Sequence, residues 1–182
     1  METIKKYIEC NLSPEVCNLN CKYCYLTQEN RKNLGTKDLD VSPEFVSEAI
    51  SPKRMGGICF VSLSVAGETL HSDFIIELAK NLVMKGHFVN ITTNGTLTKQ
   101  FEKLLNDKSI NHKLLITFSC HYVELKSKGL LQQFWDNVNT AQLSGASICV
   151  KVNLCDDYVP LLNEIKNECI KNTGGGVYLN WN

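Results

Sequence analysis

The sequence predicts an α/β domain whose parallel strands curve into an open or partial barrel. Two observations carry this. Six apolar, β-branched runs alternate with stretches of helical period along the 182 residues, and strand–helix–strand repetition implies right-handed βαβ units and therefore a parallel sheet. Several of the strands also alternate polar and apolar residues, where a parallel strand covered on both faces would read as one continuous apolar run.

Strands are expected over residues 4–12, 58–65, 88–93, 113–120, 148–154 and 177–181, and helices over 43–51, 73–85, 99–106, 130–143 and 158–171. Ser42 followed by Pro43 offers an N-cap and a first-turn proline, and Gly86 and Gly145 punctuate helix ends. Asp156 and Asp157 are read as caps of the helix expected from residue 158. Gly174-Gly175-Gly176 precedes a strand rather than a helix, so it lacks the helix N-terminus that cradles phosphate and is read as a turn. With 11 glycines and 4 prolines there is no low-complexity linker. One domain over residues 1–182 is expected, long enough to bury a sizeable core.

The alternation names a face. Ser62 and Ser64 interrupt Val61, Leu63 and Val65; Asn90, Thr92 and Asn94 alternate with Val89, Ile91 and Thr93. Thr117, Ser119 and His121 do the same in the fourth strand, as do Lys151 and Asn153 in the fifth. A period of two puts each polar set on one side. If helices cover the apolar side, the polar side lines something wet or a polar ligand. The alternative is the solvated face of a mixed sheet.

Lys+Arg and Asp+Glu balance at 19 each, which removes the electrostatic reason to expect general binding to nucleic acid or a membrane surface. No apolar run approaches the roughly 18–20 residues that span a bilayer, and Met1-Glu-Thr-Ile-Lys-Lys lacks a signal-peptide core. A cytoplasmic location is the resulting expectation. Nine cysteines, an odd number, disfavour a disulfide framework without an export signal. Cys10, Cys59, Cys120, Cys149, Cys155 and Cys169 are scattered and suit small core positions.

The other three stand in Cys17-Asn-Leu-Asn-Cys21-Lys-Tyr-Cys24-Tyr25, a C-x3-C-x2-C spacing in the loop after the first strand. Three thiolates this close can bind three corners of one iron–sulfur cluster, since soft thiolates suit its iron. The fourth iron then has an open coordination site. A structural zinc site, the alternative, wants a fourth Cys or His nearby. Cys10 is the near cysteine, and the nearest histidine is His71.

At this point the chain resembles the radical S-adenosylmethionine (SAM) superfamily over nearly its whole length. Tyr23 matches the family's aromatic residue before the third cysteine. Val65-Ala66-Gly67-Glu68-Thr69-Leu70 stands where a Gly-Gly-Glu-like motif receives the amino group of SAM, with Ala66 replacing the first glycine. Ile91-Thr92-Thr93-Asn94-Gly95-Thr96 matches a Thr-Asn-Gly strand end. Ser119 matches a serine that helps to hold SAM, and Lys151 or Asn153 stands for a polar residue of the fifth strand.

The resemblance implies a partial (β/α)6 TIM-type barrel, open on one side, with its site at the C-terminal strand ends. It implies a 4Fe–4S cluster on Cys17, Cys21 and Cys24 and SAM on the fourth iron. Reductive cleavage of SAM would give a 5′-deoxyadenosyl radical that takes hydrogen from a substrate, be it small molecule, peptide or protein. An electron donor such as flavodoxin or ferredoxin is implied as well. The chain ends at the sixth strand, which fits a compact enzyme, an excised core or a truncated gene alike.

His121 and Glu124 follow the fourth strand, at the expected rim. A histidine near a carboxylate suits proton handling or substrate hydrogen bonding, and it equally suits a loop hydrogen bond. Two other functions stay open: an activase that installs a glycyl radical on a partner protein, and a non-catalytic iron–sulfur protein.

Overall fold

The computed structural model describes residues 3–12, 15–32 and 40–181. Six strands form one sheet in sequential order, β1 (Lys6–Leu12), β2 (Cys59–Val65), β3 (Phe88–Thr93), β4 (Leu114–Ser119), β5 (Ser147–Leu154) and β6 (Tyr178–Trp181). Every neighbouring pair is parallel. β1 and β6 are not paired with each other, so the wall is open between them. Sequential parallel order with one crossover hand puts all crossover helices on the same side, which makes the sheet a partial (β/α)6 barrel.

The helices are α1 (Tyr25–Gln28), α2 (Pro43–Ala49), α3 (Pro52–Met55), α4 (Asp73–Met84), α5 (Thr98–Leu105), α6 (Tyr122–Ser127), α7 (Leu131–Leu143) and α8 (Leu162–Thr173). Ser42 caps α2 as expected, its hydroxyl accepting from the Phe45 N–H at 3.2 Å. Gly174 closes α8 in the left-handed region at φ +69°, so the glycine run is a turn.

Two expectations are corrected. Residues 158–171 are not one helix: a 3-10 run covers Asp156–Leu161 and α8 begins at Leu162, since in an α-helix started at Asp156 the Pro160 nitrogen would have no hydrogen to donate to the Asp156 carbonyl. Asp156 and Asp157 therefore lie inside the first turn, and neither caps it with its side chain. The short helices α1, α3 and α6 carry too few turns to show a helical period in sequence.

Cys59, Val61, Leu63, Val89, Ile91, Ile116, Phe118 and Val152 are buried on the helix-facing side. Phe118 stacks on Phe101 of α5 at 5.4 Å between centroids and meets Phe134 of α7 edge-on at 5.8 Å. Burying such a ring contributes about 2–3 kcal/mol. The opposite side is polar and linked strand to strand. Asn90 Nδ2 donates to Ser62 Oγ at 3.1 Å, and Thr117 Oγ1 donates to Asn90 Oδ1 at 2.8 Å. Ser64 Oγ donates to Asn11 Oδ1 at 3.2 Å, and Asn180 Nδ2 to Asn153 Oδ1 at 3.1 Å. Neighbours in parallel register share a face, so this inner surface is a floor of hydrogen-bonding groups, with Glu9 beside Ser62 and with Ser119 beside Lys151 towards the C-terminal end.

Candidate active site

The site is built where three loops meet at the C-terminal strand ends. The loop after β1 carries Cys17, Cys21 and Cys24, all free thiols. Its end is set by α1: the Thr27 and Gln28 amides donate to the Cys24 carbonyl at 2.9 and 3.0 Å, and Cys24 N–H donates to the Cys21 carbonyl at 3.1 Å. Further along, the Glu68 N–H donates to the Val16 carbonyl at 2.8 Å, locking the loop after β2 onto the cysteine loop.

Gly67 makes that contact possible. Its φ is +132°, and a Cβ built there would stand 2.3 Å from the Val16 carbonyl oxygen. Only glycine fits both the backbone and the approach. Ala66 keeps ordinary backbone geometry, being absent from the positive-φ residues, and its N–H extends the ladder to the Leu12 carbonyl at 3.3 Å. The replaced glycine thus leaves this backbone intact.

Glu68 is 1% exposed. Its Oε1 accepts from Leu70 N–H at 3.0 Å and from the Thr93 hydroxyl at 2.5 Å, and its Oε2 accepts from Asn94 N–H at 2.6 Å. Burial pushes its carboxyl pKa up while the three donors pull it down. The carboxylate is therefore a clasp between the ends of β2 and β3. Asn94 extends the clasp to the cysteines: its Nδ2 donates to Asn18 Oδ1 at 2.8 Å and lies 3.8 Å from Cys17 Sγ. Asn18 in turn donates to Thr96 Oγ1 at 2.7 Å.

A shallow cleft of about 70 Å³ opens among these groups, lined in part by Cys17, Gly67, Asn94, Ser119 and His121. Tyr23, Ala66, Glu68, Lys151, Asn153 and Glu124 do not line it. Tyr23 stands beside it through His121: the phenol and His121 Nδ1 share a short hydrogen bond, with ring centroids 5.9 Å apart. Tyr158 packs edge-on to Tyr23 at 5.8 Å. Burial holds His121 near pKa 4, so its imidazole is neutral at neutral pH.

Glu124 stands at the cysteine loop, where its charge pushes up the pKa of both His121 and Cys21. Its Oε1 accepts the Asn20 N–H at 2.9 Å, inside the cysteine loop, and Lys128 Nζ lies 3.6 Å away. Lys32 braces the same loop from the other flank, donating to the Leu19 carbonyl and to Asn20 Oδ1 at 2.9 Å. Sequence reading missed Asn18, Lys32, Thr93 and Tyr158 as parts of this assembly. Asn18 and Thr93 lay inside motifs already marked, whereas Lys32 and Tyr158 had no signal beyond their polarity.

The donor set fits a 4Fe–4S cluster. Burial, and after it the charges of Glu124, Cys17 and Cys24, push the Cys21 thiol pKa up to about 12; the three sulfurs thus share one electrostatic neighbourhood. A thiolate there needs cationic iron to be stable. Burial pushes the Cys17 thiol pKa up, and the Leu19 backbone N–H pulls it down, an influence suited to a cluster thiolate. Among the described residues no three Cys, His, Asp or Glu side chains converge on a single ion, and a cluster asks less convergence because its thiolates bind different irons. Cys10, the fourth ligand a zinc site would need, lies in β1 and packs against the core. Cys59, Cys120 and Cys169 are buried in that core.

The model of the Radical SAM superfamily matches residues 12–155. A proposed glycyl-radical enzyme activating enzyme of Methanocaldococcus jannaschii is 25% identical over 142 residues, covering 76% of this chain and 54% of the relative. The 7-carboxy-7-deazaguanine synthase of Methanospirillum hungatei is 37% identical over 94 residues, 52% of this chain and 36% of the relative. The chain thus spans about half or less of the length of these curated relatives. Among solved structures, Streptococcus suis SuiB bound to SAM superposes with a TM-score of 0.66 at 16% identity, over 94% of this chain and 39% of SuiB. The anSMEcpe structure with bound AdoMet gives 0.66 at 16% identity, over 96% of this chain and 50% of that one. At such identity these two show the fold, which is the partial barrel described above. The family itself uses a 4Fe–4S cluster and SAM, and the matched segment runs from the end of β1 to the end of β5: this chain belongs to the radical SAM superfamily.

Proposed function

We propose that this chain is the catalytic core of a radical SAM enzyme acting on a substrate still to be identified. One observation carries the reading: the cysteine loop, the Gly67–Glu68 backbone, the Thr93–Asn94 strand end and the Ser119–His121 strand end converge on a single cleft. Cluster and SAM, when bound, supply reductive cleavage of a carbon–sulfur bond to methionine and a 5′-deoxyadenosyl radical for hydrogen abstraction.

The chain's own residues prepare for that chemistry. Cys17, Cys21 and Cys24 hold the cluster as thiolates. The backbone of Ala66 and Gly67 offers polar groups to the amino acid portion of SAM, beside the clasped Glu68. Ser119 and either Lys151 or Asn153 serve its ribose, and the backbone around Tyr23 its adenine. SAM would extend from this cleft over the polar floor of β4 and β5. Neutral His121, which lines the cleft, offers a hydrogen bond to substrate or SAM. Glu124 belongs to the loop support, through Asn20.

Anaerobic reconstitution followed by dithionite and SAM tests the reading. We expect about four irons per chain and release of 5′-deoxyadenosine, both lost in Cys24→Ala. Full-occupancy zinc, or an intact cluster that never cleaves SAM, overturns it. A second reading, activation of a glycyl-radical enzyme, is supported by the M. jannaschii relative over 76% of this chain. The open side between β1 and β6 would admit a protein segment. Such an activase leaves an organic radical on a partner polypeptide, visible by EPR. A flavodoxin or ferredoxin serves as electron donor in either case. Among the described residues no helix is long and apolar enough to cross a membrane.

A further inference from the structure

We propose that the Asn94 side-chain amide donates an N–H···S hydrogen bond to the Cys17 thiolate and thereby raises the reduction potential of the cluster this thiolate holds. The inference rests on the cluster reading above and adds a tuning residue to it.

The orientation of the amide is settled by its other partners. Thr96 N–H can only donate, and it lies 3.1 Å from Asn94 Oδ1, which also accepts from the Thr96 hydroxyl at 2.7 Å. The oxygen is therefore on the Thr96 side, and Nδ2 faces the cysteine loop. One of its hydrogens goes to Asn18 Oδ1 at 2.8 Å, and the other faces Cys17 Sγ at 3.8 Å. The Asn94 backbone is fixed as well, since its N–H donates to Glu68 Oε2 at 2.6 Å. No rotation of the side chain is free, and the residue is only 3% exposed.

An N–H dipole held on a thiolate in a water-poor site stabilises the more electron-rich state more strongly. Reduction adds one electron to the cluster and its ligand sulfurs, so each such donor favours the reduced form. The Leu19 backbone N–H acts on Cys17 in the same sense from within the loop. The Asn94 amide comes instead from the end of β3, across 77 residues of sequence. It ties the electronics of the cluster to the Glu68 clasp, and hence to the segment read as receiving SAM. Glu68, whose charge acts on Cys17 in the opposite sense, is partly offset by the same amide.

The test is a potentiometric titration of the anaerobically reconstituted full chain, without SAM, following the EPR signal of the reduced cluster. Asn94→Leu keeps the volume and removes the donor. Thr96→Val loosens the brace around Asn94 but leaves the Thr96 backbone N–H and the N–H···S contact. We expect Asn94→Leu to have a lower midpoint potential than wild type at equal iron content, and Thr96→Val to match wild type. An unchanged midpoint in Asn94→Leu, or an equal shift in Thr96→Val, overturns the proposal. If Asn94→Leu takes up no iron, wild-type protein labelled with 15N at asparagine side chains decides. Pulsed EPR must then show a 15N coupling to the reduced cluster; its absence overturns the proposal. Wild-type protein that binds no cluster overturns the underlying reading too, and iron analysis reveals that before any titration.

Discussion

Glu68 Oε2 accepts the backbone N–H of Asn94 at 2.6 Å, joining the strand ends of β2 and β3 beneath the cysteine loop. Because Oε1 also caps the 3-10 turn Thr69–His71 through Leu70 N–H, one buried carboxylate fixes two loops. Glu68→Ala leaves three buried donors without an acceptor. At about 1–3 kcal/mol for each orphaned group, with some rescue by water, the loss of stability should reach about 2–4 kcal/mol. Glu68→Gln, which keeps an acceptor oxygen, should lose less. Urea denaturation of both variants checks this, and a Glu68→Ala chain as stable as wild type would remove the clasp.

Gly67→Ala should block cluster assembly more than it unfolds the barrel. The added Cβ meets the Val16 carbonyl carbon at 2.9 Å as well as its oxygen, and neither is the end of a flexible side chain. The cysteine loop has to move. Gly129→Ala is the control, since a Cβ there meets nothing within 4 Å and only the left-handed backbone resists, by about 1–2 kcal/mol. Iron content after reconstitution should fall in Gly67→Ala and hold in Gly129→Ala.

Glu124 and a chemical role part company in a single pair of variants. If it acts only by accepting the Asn20 N–H, then Glu124→Gln should retain most iron loading and most SAM cleavage. Glu124→Ala should lose iron, by leaving the loop without that acceptor. A Gln variant that binds a full cluster but turns over SAM at least tenfold more slowly would instead assign the carboxylate to proton transfer.

His87 makes stability depend on pH. It is fully buried, its Nδ1 accepts the Cys59 N–H at 2.9 Å, and burial lowers its pKa below 6.5. The unfolded chain then takes up the proton first as the medium acidifies. The stability this histidine lends is complete above about pH 6.5 and is lost as pH falls towards the folded value, by at most about 1.4 kcal/mol per pH unit. His87→Asn, which can still accept from Cys59, should flatten the dependence between about pH 7 and 5. Urea midpoints of the metal-free, reduced chain measure it. A wild-type midpoint that rises on acidification contradicts the assignment.

The periodicities in the chain determined most of the architecture. Alternation in β2 to β5 placed Ser62, Asn90, Thr117 and Lys151 on one face and Val61, Ile91, Phe118 and Val152 on the other, because side-chain direction in a strand is a local property of the backbone. The cysteine spacing was equally local, three thiols within one short loop. Tertiary structure alone decided what the polar residues around them do. Asn20 meets Glu124 across 104 residues, and Tyr23 meets Tyr158 across 135. A carboxylate after a strand has one sequence signature whether it receives a ligand's amine or two amides and a hydroxyl of its own chain. Sequence marked Glu68 and Glu124 as site residues, and the fold adds that backbone donors stand against both. Which donors reach a carboxylate is fixed by how the strand ends stack in register, and that register exists only once the sheet has formed.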